Sequence, residues 1–137
     1  MERISQGIYL GDMTDAVDKQ HLFRNGITAT LNVASIGHHY THDGILVSHI
    51  PLVDGPGNEL WELEGAILAL QQLRQEGHTV LVHCLAGVSR SPTVIACYMA
   101  ISLGCTFEEA INFIQKVRSI VDPHKALIEL AHKFLGR

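Results

Sequence analysis

Cys84 and Arg90 stand six positions apart in the segment Val82-His83-Cys84-Leu85-Ala86-Gly87-Val88-Ser89-Arg90-Ser91, between a short apolar run and a longer one. A thiol attacks as its thiolate, and a guanidinium can grip two oxygens of one tetrahedral anion. With a strand before Cys84 and a helix from about Ser91, the backbone N–H groups of Leu85, Ala86, Gly87, Val88, Ser89 and Arg90 turn inward onto such an anion. The positive end of the helix reinforces them. The same field favours the thiolate, whose free pKa of about 8.5 falls to roughly 3.5–7.5 in such settings. The spacing therefore predicts displacement at a phosphate monoester, with Cys84 as nucleophile and Arg90 holding the phosphoryl oxygens. Ser91 is placed to donate a hydrogen bond to the sulfur when it leaves. Side chains alternate along a strand, so His83 points away from the substrate and is given a supporting role in holding the loop.

The flanking sequence supplies the elements this geometry needs. Thr79-Val80-Leu81-Val82-His83 is nearly all apolar, as a strand covered on both faces is. Ser91–Leu103 is apolar almost all round, a buried helix that Gly104 ends. Upstream, 7–11, 27–34 and 45–50 read as strands, 12–25 as a helix stopped by Gly26, and 35–44 as a polar loop. Leu60, Leu63, Ile67, Leu70 and Leu73 mark an amphipathic helix over 58–76, with Asn58 as its N-cap. Thr106 and Glu109 form a capping box opening a helix to about Ile120, and Pro123 opens a last one. The expected fold is a single α/β domain over residues 1–137, with a central, mainly parallel sheet of four to five strands flanked by helices.

The segment from His83 to Ser91 resembles the signature loop of the dual-specificity protein phosphatases. Tyr9-Leu10-Gly11-Asp12, the stretch Gly26-Ile27-Thr28 through Leu31-Asn32-Val33-Ala34, and Ile50-Pro51-Leu52-Val53-Asp54 are similar to further family segments. The resemblance implies that Asp54, 30 residues before Cys84, is the general acid. It protonates the leaving oxygen, then serves as base toward the water that releases phosphate from a phosphocysteine. Neither metal nor organic cofactor is implied, and the partners are phosphoprotein substrates carrying phosphotyrosine, phosphoserine or phosphothreonine. Where the family usually has Pro-Asn, this chain has Pro123-His124, and His124 is assigned no site role.

Composition sets the outer bounds. A formal net charge of -4 without clustered Lys and Arg argues against a nucleic-acid partner. With no apolar run of about 18 residues and no basic-then-apolar start, a soluble, cytoplasmic protein is expected, without a membrane partner. Cys84, Cys97 and Cys105 lack the pairing of a disulfide framework, which suits a reducing compartment; Cys97 and Cys105 read as structural thiols. His38, His39 and His42 lie in a polar loop without a cysteine or carboxylate cluster and read as a solvated surface. Having no long segment before Tyr9, the chain is expected to have a shallow pocket open to both phosphotyrosine and phosphothreonine. Phosphatases of phosphoinositides, RNA 5'-phosphates or small metabolites remain an alternative. The uncharged Leu85, Ala86, Val88 and Ser89 disfavour a highly charged substrate. A non-catalytic phosphopeptide-binding module would keep the anion nest, but it has no need of Cys84.

Overall fold

The computed structural model describes residues 1–137. Five strands, β1 (Glu2–Ser5), β2 (Ile8–Gly11), β3 (Ala29–Asn32), β4 (Leu46–His49) and β5 (Val80–His83), form one sheet in the order β1-β2-β5-β3-β4. Only the β1–β2 pair is antiparallel. β5 lies at the centre, pairing Leu81 with Tyr9 on one side and Thr30 on the other. All four of its residues are buried, in keeping with the apolar run that predicts a strand covered on both faces.

Alternation along the strands divides the core. Ile8, Leu10, Ala29, Leu31, Val80 and Val82 join the larger cluster, with Leu63, Leu70, Val94, Ile95 and Ile114. Those partners come from α3 (Leu60–Gln75), α4 (Arg90–Leu103) and α5 (Phe107–Val117), and α6 (Lys125–Leu135) adds Ala131. The other face carries a smaller cluster of Leu81 with Ala16, Leu22, Ile27 and Ile45, under α1 (Met13–Val17) and α2 (Lys19–Arg24). Helix α4 is buried at ten of its 14 positions, the expected central helix, and Gly104 closes it at φ 72°. No helix is long and apolar enough to cross a membrane.

The structure departs from the sequence reading at several element ends. The single helix expected over 12–25 is two helices, because Asp18 turns extended and its carboxylate accepts from the His21 N–H at 3.1 Å, capping a new start. Strand β1 has no signature in the sequence: Ile4 is its one buried residue, so Glu-Arg-Ile-Ser carries no hydrophobic alternation. Asn58 does not cap α3. Glu59 takes that place, and the Glu62 carboxylate accepts from the Glu59 N–H at 2.7 Å. Helix α5 ends at Val117, short of Ile120, and α6 is capped by His124, one residue after Pro123.

Candidate active site

Residues 84–89 link the carboxyl end of β5 to the first turn of α4, and their carbonyls are held from outside. The Cys84 carbonyl accepts from His83 Nδ1–H at 3.0 Å. The Leu85 carbonyl accepts from the Met13 N–H at 3.0 Å, and that of Val88 from the Asp122 N–H at 2.8 Å. Arg118 holds the two between them, through Nη2 to the Ala86 carbonyl at 3.0 Å and Nε to that of Gly87 at 3.1 Å. The Ser89 carbonyl accepts from the Thr93 hydroxyl at 2.8 Å. With each carbonyl turned outward, the intervening N–H groups face the inside of the loop, as a backbone anion nest requires. Gly87 makes the turn at φ +69°, and a Cβ there would lie 2.5 Å from the Gly11 carbonyl oxygen. The position thus needs glycine both for its backbone angle and for its closeness to β2.

The Cys84 sulfur sits on the floor of this loop, 2% exposed and 3.2 Å from the Ser91 hydroxyl. Burial alone raises the thiol's pKa. The Ser91 hydroxyl, the N–H groups of Ser91 and Gly87 and the Arg90 charge together outweigh it, so the thiol ionises more readily than usual. Cys97 shows the contrast: equally dry but without such donors, its thiol is pushed up to about 12. Arg90 is buried as well. Its Nη1 donates to the Leu52 carbonyl at 3.2 Å and to the Ser35 hydroxyl at 3.3 Å, while its buried Nε has no partner within the protein. An unpaired buried guanidinium N–H is costly, and a phosphoryl oxygen is the acceptor that would satisfy it.

His83 points to the opposite face of the sheet from Cys84, as strand alternation predicts. Its Nδ1–H holds the Cys84 carbonyl, so Nε2 accepts from the Tyr40 hydroxyl at 2.7 Å. Burial lowers its pKa to about 4, so it is neutral around pH 7 and serves as a fixed strut. The histidines of residues 35–44 part company. His39 and His49 bring their Nδ1 atoms within 3.4 Å, His42 Nε2–H donates to the Ala16 carbonyl at 2.8 Å, and His38 is exposed.

Asp54 follows the Leu52 carbonyl that Arg90 holds. It lines a groove of about 460 Å³ beside the loop, with Val88, Ser89, Asp122, His124 and Lys125. Asn58 braces its segment: the side-chain amide accepts from the Val53 N–H at 2.9 Å and donates to the Val53 carbonyl at 2.8 Å. A short amide can satisfy both backbone groups of one residue, which a helix N-cap does not ask of it; this is why Asn58 serves the loop while Glu59 caps the helix.

Two residues without a predicted role prove central to the geometry. Arg118 holds two loop carbonyls and is oriented by Glu2, whose carboxylate oxygens accept from Nη1 at 2.9 and 3.0 Å. Both partners come from distant parts of the chain, so no local motif announces them. His124 was conspicuous only as a departure from Pro-Asn. Its N–H donates to the Ser89 hydroxyl at 2.7 Å, and its Nδ1 accepts from the Ala126 N–H at 3.0 Å, capping α6. With Nδ1 accepting that bond, Nε2 is the ring's donor, and it faces Gly55, 3.8 Å from where a Cβ would stand there.

A central parallel strand, a cysteine-led anion loop and a buried helix carrying the arginine in its first turn define the class of cysteine-dependent phosphatases. The family model "Dual specificity phosphatase, catalytic domain" matches residues 8–133, and the chain belongs to that family. Dual specificity protein phosphatase 22 of Mus musculus is 33% identical over 125 residues, covering 90% of this chain and 67% of that protein. Dual specificity protein phosphatase 22-A of Danio rerio is 31% identical over 135 residues, or 98% of this chain and 64% of that protein. The chain thus spans about two thirds of the length of these curated relatives. Among solved structures, DUSP15 superposes with a TM-score of 0.88 at 28% identity, over 98% of this chain and 86% of its own. Human DUSP28, at 24% identity, shares the fold with a TM-score of 0.88 over 98% of this chain and 94% of its own.

Proposed function

We propose that this chain dephosphorylates phosphotyrosine and phosphoserine or phosphothreonine in protein substrates through a phosphocysteine at Cys84. The observation that carries the reading is the Cys84 sulfur, its pKa lowered, on the floor of a loop whose carbonyls are all turned away. A phosphate monoester enters with its oxygens on the inward N–H groups and on Arg90. The thiolate attacks phosphorus, the P–O bond to the substrate breaks, and Asp54 protonates the departing oxygen. Asp54, now a carboxylate, takes a proton from water as that water attacks phosphorus. The S–P bond then breaks with the Ser91 hydroxyl donating to the sulfur. The inward N–H groups contribute most when charge on the phosphoryl oxygens is redistributed in the transition state.

The uncharged loop side chains favour a phosphorylated side chain over a polyphosphate or polyphosphoinositide, which would call for added cations in the loop. Three free cysteines, one of them the nucleophile, support a place in a reducing compartment such as the cytoplasm. The test is release of phosphate from p-nitrophenyl phosphate with EDTA present, followed by phosphotyrosine, phosphothreonine and phosphoserine peptides. Turnover of all these substrates, abolished in Cys84→Ser, is expected. Turnover that needs added metal, or that survives Cys84→Ser, would overturn the mechanism, and strict rejection of phosphoserine and phosphothreonine would overturn the dual specificity.

A further inference from the structure

The side chains around the phosphate loop are less polar than the chemistry at its floor requires. Ile36 is 78% exposed, Val53 53% and Leu85 48%. Each stands at the site by the chain's own connections. Ile36 follows Ser35, whose hydroxyl accepts from Arg90 Nη1 at 3.3 Å. Val53 follows Leu52, whose carbonyl accepts from that same nitrogen at 3.2 Å, and it precedes Asp54. Leu85 is the loop residue immediately after Cys84. Two of the three are thus the next residues along the chain from the two groups that hold one nitrogen of the Arg90 guanidinium, from separate segments, and the third belongs to the loop itself. None of them joins either core cluster.

We infer that Ile36, Val53 and Leu85 form an apolar rim that selects phosphoprotein segments with apolar residues beside the phosphorylated one. The inference rests on the phosphatase reading above. The occupant follows from continuity with the catalytic loop: the phosphoryl group must sit over Cys84 for attack, so what covers the rim is the part of the substrate next to that group. Apolar side chains there bury surface that both partners otherwise leave in water. Acidic or basic neighbours would instead be desolvated against the three side chains without a partner. The charged groups that line the groove, Asp54, Asp122 and Lys125, stand there with His124 and include both signs, so acidic and basic flanks each meet a like charge and neither is singled out.

The experiment compares kcat/KM for phosphotyrosine peptides that differ only in the residues on either side, Leu or Ile against Glu or Lys, with p-nitrophenyl phosphate as a substrate that does not reach the rim. About a tenfold preference for apolar flanks is expected, the discrimination a modest hydrophobic contact supports. Ile36→Ser should cut it to about threefold or less while p-nitrophenyl phosphate turnover and the melting temperature hold, and Ile36→Lys should turn it toward Glu flanks. Equal rates for all flanks, or a preference unchanged in both variants, would overturn the inference and leave the phosphatase reading standing. Faster hydrolysis of phosphatidylinositol monophosphate in vesicles than of any peptide would also overturn it, by assigning the apolar rim to lipid. Failure to turn over p-nitrophenyl phosphate at all would instead strike the reading on which the inference depends.

Discussion

Arg118→Met removes the clamp on the outside of the phosphate loop while keeping most of the side chain's apolar length. Two hydrogen bonds from a charged donor to backbone carbonyls are lost, at 3.0 Å to Ala86 and 3.1 Å to Gly87. Such bonds contribute about 1.5–3 kcal/mol each. Ala86 is exposed and its carbonyl can turn to water, so the bond to buried Gly87 dominates. The ion pair to Glu2, itself about a third exposed, contributes little more. A stability loss of about 2–4 kcal/mol follows. The functional loss goes through the Ala86–Gly87 peptide: Arg118 Nη2 holds its carbonyl, and its N–H, that of Gly87, is one of the donors that lower the Cys84 pKa. Freed to rotate, that peptide supplies its N–H less often to sulfur and to phosphate. Deleting one such donor costs about 10²–10³ in kcat, and loosening one should cost on the order of 10–10². The pKa of Cys84 should rise, moving the midpoint of iodoacetamide alkylation against pH upward, a readout that simple destabilisation would not move. Arg118→Lys, with one ammonium for two carbonyls, should fall between. Alkylation with an unchanged midpoint and kcat within about twofold of the parent, in protein shown to be folded, would mean that Arg118 does not hold the loop's donors in place.

Ser91→Ala should raise the Cys84 pKa and slow phosphocysteine formation somewhat but slow its hydrolysis more, so that a burst of p-nitrophenol precedes a steady state lowered by about 10–10². Asp54→Asn should cost on the order of 10²–10⁴ in kcat for alkyl phosphates and less for p-nitrophenyl phosphate, and should flatten the alkaline limb of the pH profile. An equal loss on every substrate with that limb intact would make Asp54 structural. His124→Asn keeps a side-chain acceptor for the Ala126 N–H but withdraws the donor facing Gly55, so the melting temperature should hold while kcat/KM for peptides changes; a fall in melting temperature alone would reduce His124 to a helix cap. For His83, burial makes the folded protein take up a proton less readily than the unfolded chain, so its contribution is intact above pH 6.5 and is lost as pH falls toward about 4. Urea unfolding should show about 3 kcal/mol of lost stability across that range, a slope that His83→Asn flattens.

Local signals carried the parts of the site that lie in one stretch of chain. β5, the loop and α4 are contiguous, and the apolar runs on either side of the Cys84–Arg90 spacing state how each must be buried. The Thr106–Glu109 capping box is also a short-range pattern, and the structure keeps it, with the Glu109 N–H donating to the Thr106 hydroxyl at 3.0 Å. What stayed hidden depends on tertiary placement. Strand β1 is an edge strand with one buried side chain, so its pairing to β2 leaves no periodicity to read. Arg118 reaches the loop across 31 residues and Glu2 across 116, and only the fold brings the three together. Asn58 has a local preference for helix starts, yet its amide pairs with the backbone of Val53 and leaves the helix cap to Glu59. Asp54 came from resemblance, since a lone aspartate before glycine reads equally well as a turn; the structure sets it in the groove beside Val88 and Ser89.

The proposed mechanism requires a covalent bond between phosphorus and the Cys84 sulfur. Mixing the protein with ³²P-labelled phosphopeptide, quenching within milliseconds in acid-free denaturant, and mapping the label by proteolysis and mass spectrometry tests it directly. Label confined to the peptide that contains Cys84, formed fast enough to account for turnover, enriched in Ser91→Ala and absent in Cys84→Ser, is the predicted result. Full turnover with no protein-bound phosphate in either the parent or Ser91→Ala, or label on any other residue, would contradict it.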